Sequence, residues 1–487
     1  MGLAFNIFAT AFCSIGSYDS GVISSVLTMK SFGRHFHQPN DNIVGAVVST
    51  FNGGCFFGAA AGGWLNDRLG RRLSIQACNY NLVGVALQTA APNMACMLVG
   101  RIIGGLAIGL LSMTVPLYNA STEIAPPKIR GFIVGLSQQM LGIGFIVANW
   151  VGFGTQFMAT DAAWQIPISL QMVPAFLLLV GIQFLPQSPR WLIEIGRDEE
   201  AHKVIRRLHG AKADVQAHQA DEEFQEMAAI IKAEVAVRSR NVMDLFRTRA
   251  MAHRTLVAVG VQVFGQFTGI NVINYYGPRI YSSLGFSSGS VVLIQGLFSA
   301  AGPITNFFFI TLVIDRVGRR KPLIFGCIAL VALFSILAAI IASFPPDAAA
   351  GINHAGQRAG IAMIFLMTIV FSLSFGPVSW VLAAEVFPTA TRSIGTSVAT
   401  CSNWAFNVML SQVSPIAMAN IGWKFYILFI VLNTVDGGIV YAFFPETKGL
   451  ALEQMAEVFG DAVDVKAAPT TGVARRISAD NPSLEKA

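Results

Sequence analysis

The sequence predicts an all-α membrane protein: twelve transmembrane helices in two pseudo-symmetric six-helix bundles, joined by a cytoplasmic helical linker. Three observations predict it: apolar runs of membrane length, a charge-rich interruption midway along the chain, and a pair of motifs that recurs once in each half. Of the 487 residues 54% are hydrophobic and only 12% charged, which is more apolar surface than a soluble fold can hide.

The runs come in order near residues 3–27, 43–65, 74–92, 94–117, 131–153 and 165–185, then near 254–276, 289–313, 321–343, 360–383, 395–417 and 423–444. Each is about 20 residues, enough to cross ~30 Å of hydrocarbon. Membrane-barrel strands would alternate over about ten residues, and these runs do not alternate. The first run is too long and too polar in its middle for a cleaved signal peptide. The expected divisions are therefore an N-terminal bundle (1–185), a linker (186–252), a C-terminal bundle (253–444) and a tail (445–487) that is largely disordered after about 461. The linker mixes both charge signs, with helical stretches expected at 198–208 and 221–237. The tail holds Arg475-Arg476-Ile477-Ser478, a basic-directed phosphorylation pattern. Cys13, Cys55, Cys78, Cys96, Cys327 and Cys401 all lie in apolar stretches without metal spacing and read as small buried hydrophobes.

Net charge is +6, but its distribution points to topology rather than to nucleic acid. Of 33 Lys and Arg, only Lys30, Arg34, Arg101, Arg279, Arg358 and Lys424 fall outside the even-numbered connections and the tail. The bias toward basic cytoplasmic loops places both termini and the linker in the cytoplasm. Arg101 is the one basic residue of that group within a span, and Asp19 is a carboxylate inside the first. A charge near the bilayer centre costs roughly 2.5–3.5 kcal/mol on insertion scales, so the two are read as functional partners.

Two motifs repeat in register. Asp67-Arg68-Leu69-Gly70-Arg71-Arg72 after the second run recurs as Asp315-Arg316-Val317-Gly318-Arg319-Arg320 after the eighth. Glu123-Ile124-Ala125-Pro126 with Arg130 after the fourth recurs as Glu385-Val386-Phe387-Pro388 with Arg392 after the tenth. Repeated halves with a site between them are the plan of a secondary transporter that rocks one bundle against the other. The glycines permit a tight turn, and the mixed charges are expected to pair on the cytoplasmic face and hold the halves together in one state.

With Arg101-Ile102-Ile103-Gly104-Gly105, Gln266-Phe267-Thr268-Gly269-Ile270-Asn271, Gly376-Pro377-Val378-Ser379-Trp380 and Pro445-Glu446-Thr447-Lys448-Gly449, the chain resembles the sugar porters of the major facilitator superfamily over nearly its whole length, with a fungal flavour. The resemblance implies sugar contacts at Gln138, Gln266, Asn271, Tyr275, Trp380, Asn403, Trp404 and Asn407. Amides both donate and accept, and aromatic rings take a sugar's C–H face, so the residue types suit the substrate. Asn274 and Gln262 are further candidates. Asn271 and Tyr275, like Asn403 and Asn407, are four apart and share a helix face. The bland alternative for any one amide is a hydrogen bond between helices.

The chain also departs from the family. Gly16-Ser17-Tyr18-Asp19 replaces Phe-Gly-Tyr-Asp, Gly265-Gln266 replaces a glutamine pair, Phe145 stands where some members have glutamine, Asn403 stands where glutamine is frequent, and Pro186-Gln187-Ser188-Pro189-Arg190 has lost the acid of Pro-Glu-Ser-Pro-Arg. These changes alter the pocket's shape and its hydrogen bonding.

Burial favours a neutral acid and a nearby guanidinium favours a carboxylate, so an Asp19 whose distance to Arg101 changes with conformation can take up and release a proton. In proton-coupled sugar porters the matching positions do this. The expected function is sugar transport across the plasma membrane by alternating access, in symport with a proton. An uncoupled facilitator and a non-transporting sugar sensor remain alternatives. Expected partners are a sugar, a proton and membrane lipid. No cofactor is expected, and the absence of a nucleotide loop or metal cluster argues against an enzyme. Asp436 in the last span is a further buried acid without an evident partner.

Overall fold

The computed structural model describes residues 15–121, 130–184, 186–208, 221–232 in part, 241–286, 288–313, 317–343, 354–388, 391–448 and 458–460, leaving aside the side chains of 15–17, 116–137, 208, 288 and 384. Everything up to Gly449 forms one compact unit; of the second, Leu450–Ala487, only a turn at 458–460 is described. The predicted disorder of the tail, Ser478, Glu123, Arg130, Asp315 and Arg316 all lie outside the described residues or side chains.

Among the described residues the chain is helical, without a strand. Helix α1 spans Ile15–Val26, α2 Asp41–Ala77 with a break at Gly70, α3 Asn81–Thr89, α4 Met94–Ser121 and α5 Arg130–Thr155, and α6 is split into Ala162–Ser169 and Met172–Gly181. Two linker helices follow, Pro189–Glu194 and Asp198–Leu208; the second has the bounds expected from its charge pattern. In the C-terminal half α7 is split into Arg249–Phe267 and Ile270–Ser283, α8 spans Ser288–Leu312 and α9 Arg320–Ser343. Helix α10 is split into His354–Ser372 and Phe375–Glu385, and α11 spans Arg392–Ile421 and α12 Phe425–Phe443. Eight stretches among the described residues are long and apolar enough to cross a membrane, and two of these, Asp41–Thr89 and Arg392–Phe443, run to 49 and 52 residues. At about 20 residues per crossing those two hold two passes each, which makes ten among the described residues; α1 and α5, at the first and fifth expected runs, are helical over 12 and 26 described residues.

The polarity is inverted as a bilayer requires. Phe57, Phe176, Leu256, Phe308, Ile328 and Val431 are exposed on the outer faces of the helices, while Asp19, Asn52, Asn81, Arg101, Asn403 and Asn407 are buried. In lipid, helices associate by close packing and hydrogen bonding because apolar burial offers no driving force between them. Helices α2 and α4 follow that rule. A Cβ on Gly105 would lie 2.1 Å from the Phe51 carbonyl oxygen, and one on Gly109 2.0 Å from that of Cys55. Small residues therefore bring two backbones into contact and hold Arg101, on α4, against α2.

Both repeated turns need their glycine. Gly70 has φ 78° and Gly318 φ 89°, a left-handed conformation that side chains disfavour. The surroundings also exclude a Cβ, since it would sit 2.9 Å from the Trp191 ring at Gly70 and 2.6 Å from the Glu446 carboxylate at Gly318. Helix α7 breaks at Gly269 (φ 74°). Helix α10 breaks at Ser374, whose hydroxyl donates to the Val370 carbonyl (2.6 Å), and the helix restarts with Gly376-Pro377 in its first turn, where a missing N–H costs nothing.

The halves meet along α2 and α11. Ser49 Oγ donates to Gln412 Oε1 (2.7 Å), and Ser397 Oγ to the Ala59 carbonyl (3.1 Å). On the other side of the molecule Asn306 Nδ2 of α8 donates to Gln139 Oε1 of α5 (3.0 Å). At the ends remote from the basic loops, Arg279 of α7 pairs with Asp41 of α2 at 2.5 Å.

Candidate functional site

A cavity of about 260 Å³ opens between the halves, lined from α1, α4, α5, α7, α8, α10 and α11. All eight residues expected from the resemblance, Gln138, Gln266, Asn271, Tyr275, Trp380, Asn403, Trp404 and Asn407, line it. Asn274 joins them, whereas Gln262 stands behind the wall and accepts from Asn403 Nδ2 through Oε1 (2.8 Å). The broken helices explain the convergence. The turn at Gly269 lets Gln266 and Asn271 face one another across the break, and Asn271 Nδ2 donates to Gln266 Oε1 (2.6 Å). The restart of α10 after Ser374 brings Trp380 to the wall.

The amides are partly committed to one another. Asn403 spends its Nδ2 on Gln262 and keeps Oδ1 as an acceptor, while Gln266 has its Oε1 occupied and keeps the Nε2 donors. Trp404 Nε1 donates to Ser112 Oγ on α4 (3.2 Å), crossing between the halves. The cavity therefore presents donors, acceptors and indole faces to a small polar solute. Phe145 and Gly265, the positions where amides are replaced, also line it, so this chain exchanges hydrogen-bonding groups for an aromatic face and open space.

Asp19 and Arg101 lie together beside the cavity, both 1% exposed, so neither charge is solvated. Their contact differs from a carboxylate–guanidinium pair. Arg101 Nη1 donates to the main-chain carbonyl of Asp19 (3.2 Å), Nε donates to the Val47 carbonyl (3.0 Å), and the guanidinium lies 4.3 Å over the Phe51 ring. The Asp19 carboxylate is met by Asn81 of α3, whose Nδ2 approaches Oδ2 at 3.3 Å, and Oδ1 is buried without a hydrogen-bond partner. Asn81 is not among the residues that the resemblance implies; the signal that could have found it is an amide within an apolar run. Asp436 of α12 is buried and does not line the cavity.

The pairing expected between the halves on the basic face also involves Glu123, Arg130, Asp315 and Arg316, which lie outside the described residues or side chains; the contacts that follow run within a half or to the linker. Arg319 bonds Glu385 (3.0 Å) inside the C-terminal half, and Arg71 lies 3.6 Å from Glu194 of the linker. Arg72 donates to the Gln183 carbonyl (2.9 Å), Arg68 covers the Trp64 ring, and Asp67 accepts from the Trp191 indole through its main-chain oxygen (3.2 Å). Arg320 donates to the Tyr441 carbonyl and Arg392 to that of Phe387 (3.3 Å). The described ion pair that joins the halves, Asp41–Arg279, lies on the opposite face.

The family model for sugar (and other) transporters matches residues 6–459. The chain belongs to the sugar porter family. This porter is 37% identical over 446 residues to the MFS-type transporter criB of Aspergillus cristatus, covering 91% of this chain and 90% of that one. It is 31% identical to a high-affinity glucose transporter of Kluyveromyces lactis, with 94% and 86% covered. Its fold is that of the solved proton:xylose symporter XylE bound to 6-bromo-6-deoxy-D-glucose, at TM-score 0.78 and 24% identity over 93% of this chain and 98% of that one. The porter is thus a major facilitator superfamily transporter and not an enzyme.

Proposed function

We propose that this porter carries a monosaccharide, or a solute with a sugar's hydroxyl pattern, across the plasma membrane by alternating access in symport with a proton, with both termini cytoplasmic. The observation that carries the reading is the cavity between the halves, walled by amides with split donor and acceptor roles and by Trp380 and Trp404. A sugar hydroxyl is donor and acceptor at once, and its C–H face packs on indole. The kinship with a high-affinity glucose transporter points to the same class.

Coupling is proposed at Asp19. Its Oδ1 is buried and unpartnered with Arg101 at its own carbonyl, and a swing of Arg101 toward or away from the carboxylate would release or admit a proton. An uncoupled facilitator is the second reading, favoured by the hold of Asn81 on the carboxylate and of the Val47 carbonyl on Arg101. Uptake of labelled D-glucose, D-xylose and D-fructose in a host lacking sugar carriers, with and without an uncoupler, tests both. Uptake that accumulates and collapses with the uncoupler supports symport, equilibration without accumulation supports the facilitator, and no uptake of any sugar or sugar acid refutes the proposal.

A further inference from the structure

We propose that Asn52, on α2 and outside the cavity wall, fixes the hydrogen-bond polarity of Asn407 and Tyr275, so that this part of the wall donates to the solute. The inference rests on the cavity being the solute site.

The polarity starts at Ser411 of α11. Its hydroxyl donates to the Val408 carbonyl (3.1 Å). Having spent its one proton, it can only accept from Asn52, whose amide group lies 3.1 Å away. This orients Asn52 with Nδ2 toward α11, where the same nitrogen also donates to Asn407 Oδ1 (3.1 Å). Asn407 is oriented in turn. Its oxygen is taken, so its nitrogen faces Tyr275 and donates to the hydroxyl oxygen (3.4 Å).

The end of the chain is what the solute meets. Asn407 keeps a second amide proton and Tyr275 keeps its hydroxyl proton, and both residues line the cavity. A solute oxygen at this place is asked to accept, not to donate. Asn52 is 0% exposed and its Oδ1 has no hydrogen-bond partner. A buried amide left half-satisfied is costly, so the two bonds made by Nδ2 carry the reason for its position. The side chain also crosses between the halves, from α2 to α11, which makes the setting of Asn407 a property of the two bundles together.

The test uses competition against labelled D-glucose by glucose analogues in which each hydroxyl is replaced in turn by fluorine or by hydrogen. Fluorine accepts weakly and cannot donate; hydrogen does neither. In the unaltered protein at least one ring position is expected to tolerate fluorine within about threefold while hydrogen costs about tenfold, the scale of one unpaired buried group. Asn52→Leu has nearly the same shape and can neither donate nor accept, so Asn407 loses the donor that holds its oxygen and is free to turn that oxygen toward the cavity. The fluoro analogue then falls toward the level of the deoxy analogue, while glucose itself, whose hydroxyl can donate, changes less. Retained glucose competition shows that the variant folds. Ser411→Ala, which frees Asn52 to rotate, is expected to lower fluorine tolerance in part, and it decides the matter if Asn52→Leu binds no glucose. A fluoro-to-glucose ratio unchanged in the variant that binds glucose overturns the inference and leaves the proposed function standing. Failure of the unaltered protein to bind any hexose, pentose or sugar acid overturns both.

Discussion

The ion pair between Asp41 and Arg279 is the described charged contact that ties the two bundles together on the face opposite the basic loops, and breaking it tests the alternating-access reading. Its groups lie 2.5 Å apart, with side chains 37% and 39% exposed. Such half-solvated pairs contribute roughly 0.2–1 kcal/mol. At about 1.4 kcal/mol per factor of ten, losing the pair raises the population open on that face by roughly 1.4- to 5-fold. No stranded charge adds to this, because either partner alone stays in contact with water. The assay is the labelling rate of a single cysteine at Ser299, a cavity position, in a protein otherwise free of cysteine, by a thiol reagent that cannot cross the membrane. Arg279→Ala and Asp41→Ala are each expected to raise the rate within that range, and the double variant is expected to match a single one. Exchanging the two residues restores the original rate, and moderate salt reproduces the effect in the unaltered protein. Rates that do not change, or that add in the double variant, would refute the idea that this pair holds the face shut.

Three other outcomes follow from the geometry. Asp19→Asn is expected to abolish accumulation while sparing exchange of labelled for unlabelled sugar; one proton moving down ~100 mV supplies about 2.3 kcal/mol, a gradient of roughly 50-fold that the variant forfeits, and unchanged accumulation counts against Asp19 as the proton site. Glu446 accepts from the main-chain N–H groups of Arg319, Arg320, Thr447 and Lys448 at 2.8–3.1 Å, so Glu446→Gln is expected to cost about 1.5–3 kcal/mol, read as a lower unfolding midpoint of the purified protein. In the linker, hydrogen bonds from Arg206 and His202 hold the Asp221 carboxyl below the usual carboxylate range. That contribution is complete above the ordinary value near 4 and is lost as pH falls below it, so hydrogen exchange of helix 198–208 should quicken on acidification, measured against Asp221→Asn, which lacks the dependence.

The fold was legible because a bilayer leaves so few solutions: runs of about 20 apolar residues can only be helices there, and the repeat of Asp67–Arg72 in Asp315–Arg320 gave the division into halves. The cavity amides were legible through the resemblance to sugar porters, and Gln266, Asn271, Asn403 and Asn407 are also polar where polarity is expensive. Asn52 and Asn81 carry the same signal, but their role depends on a partner from another helix: Asn407 for one, Asp19 for the other. No spacing along the chain encodes which carbonyl a guanidinium will choose. Arg101 lies beside Asp19, yet the atom it meets is set by the close approach of α2 and α4, which places the Val47 carbonyl and the Phe51 ring around it.

The repeated turns show how one motif can serve two halves by different means. In the C-terminal half Gly318 lies on the Glu446 carboxylate, which gathers the N–H groups at the start of α9, where the helix dipole favours a negative charge. The matching place in the N-terminal half is Gln187, since Pro186-Gln187 follows α6 as Pro445-Glu446 follows α12. Its Oε1 is buried without a hydrogen-bond partner, and Gly70 is covered by the Trp191 ring, whose indole nitrogen reaches the Asp67 carbonyl. One turn is held by charge and the other by an aromatic lid. The electrostatic hold is screened by salt and the packed ring is not, so in this protein the two ends of the basic face are expected to differ in ionic sensitivity although their sequences repeat. The missing acid at position 187 is therefore a change of mechanism in one half, legible only beside its counterpart in the other.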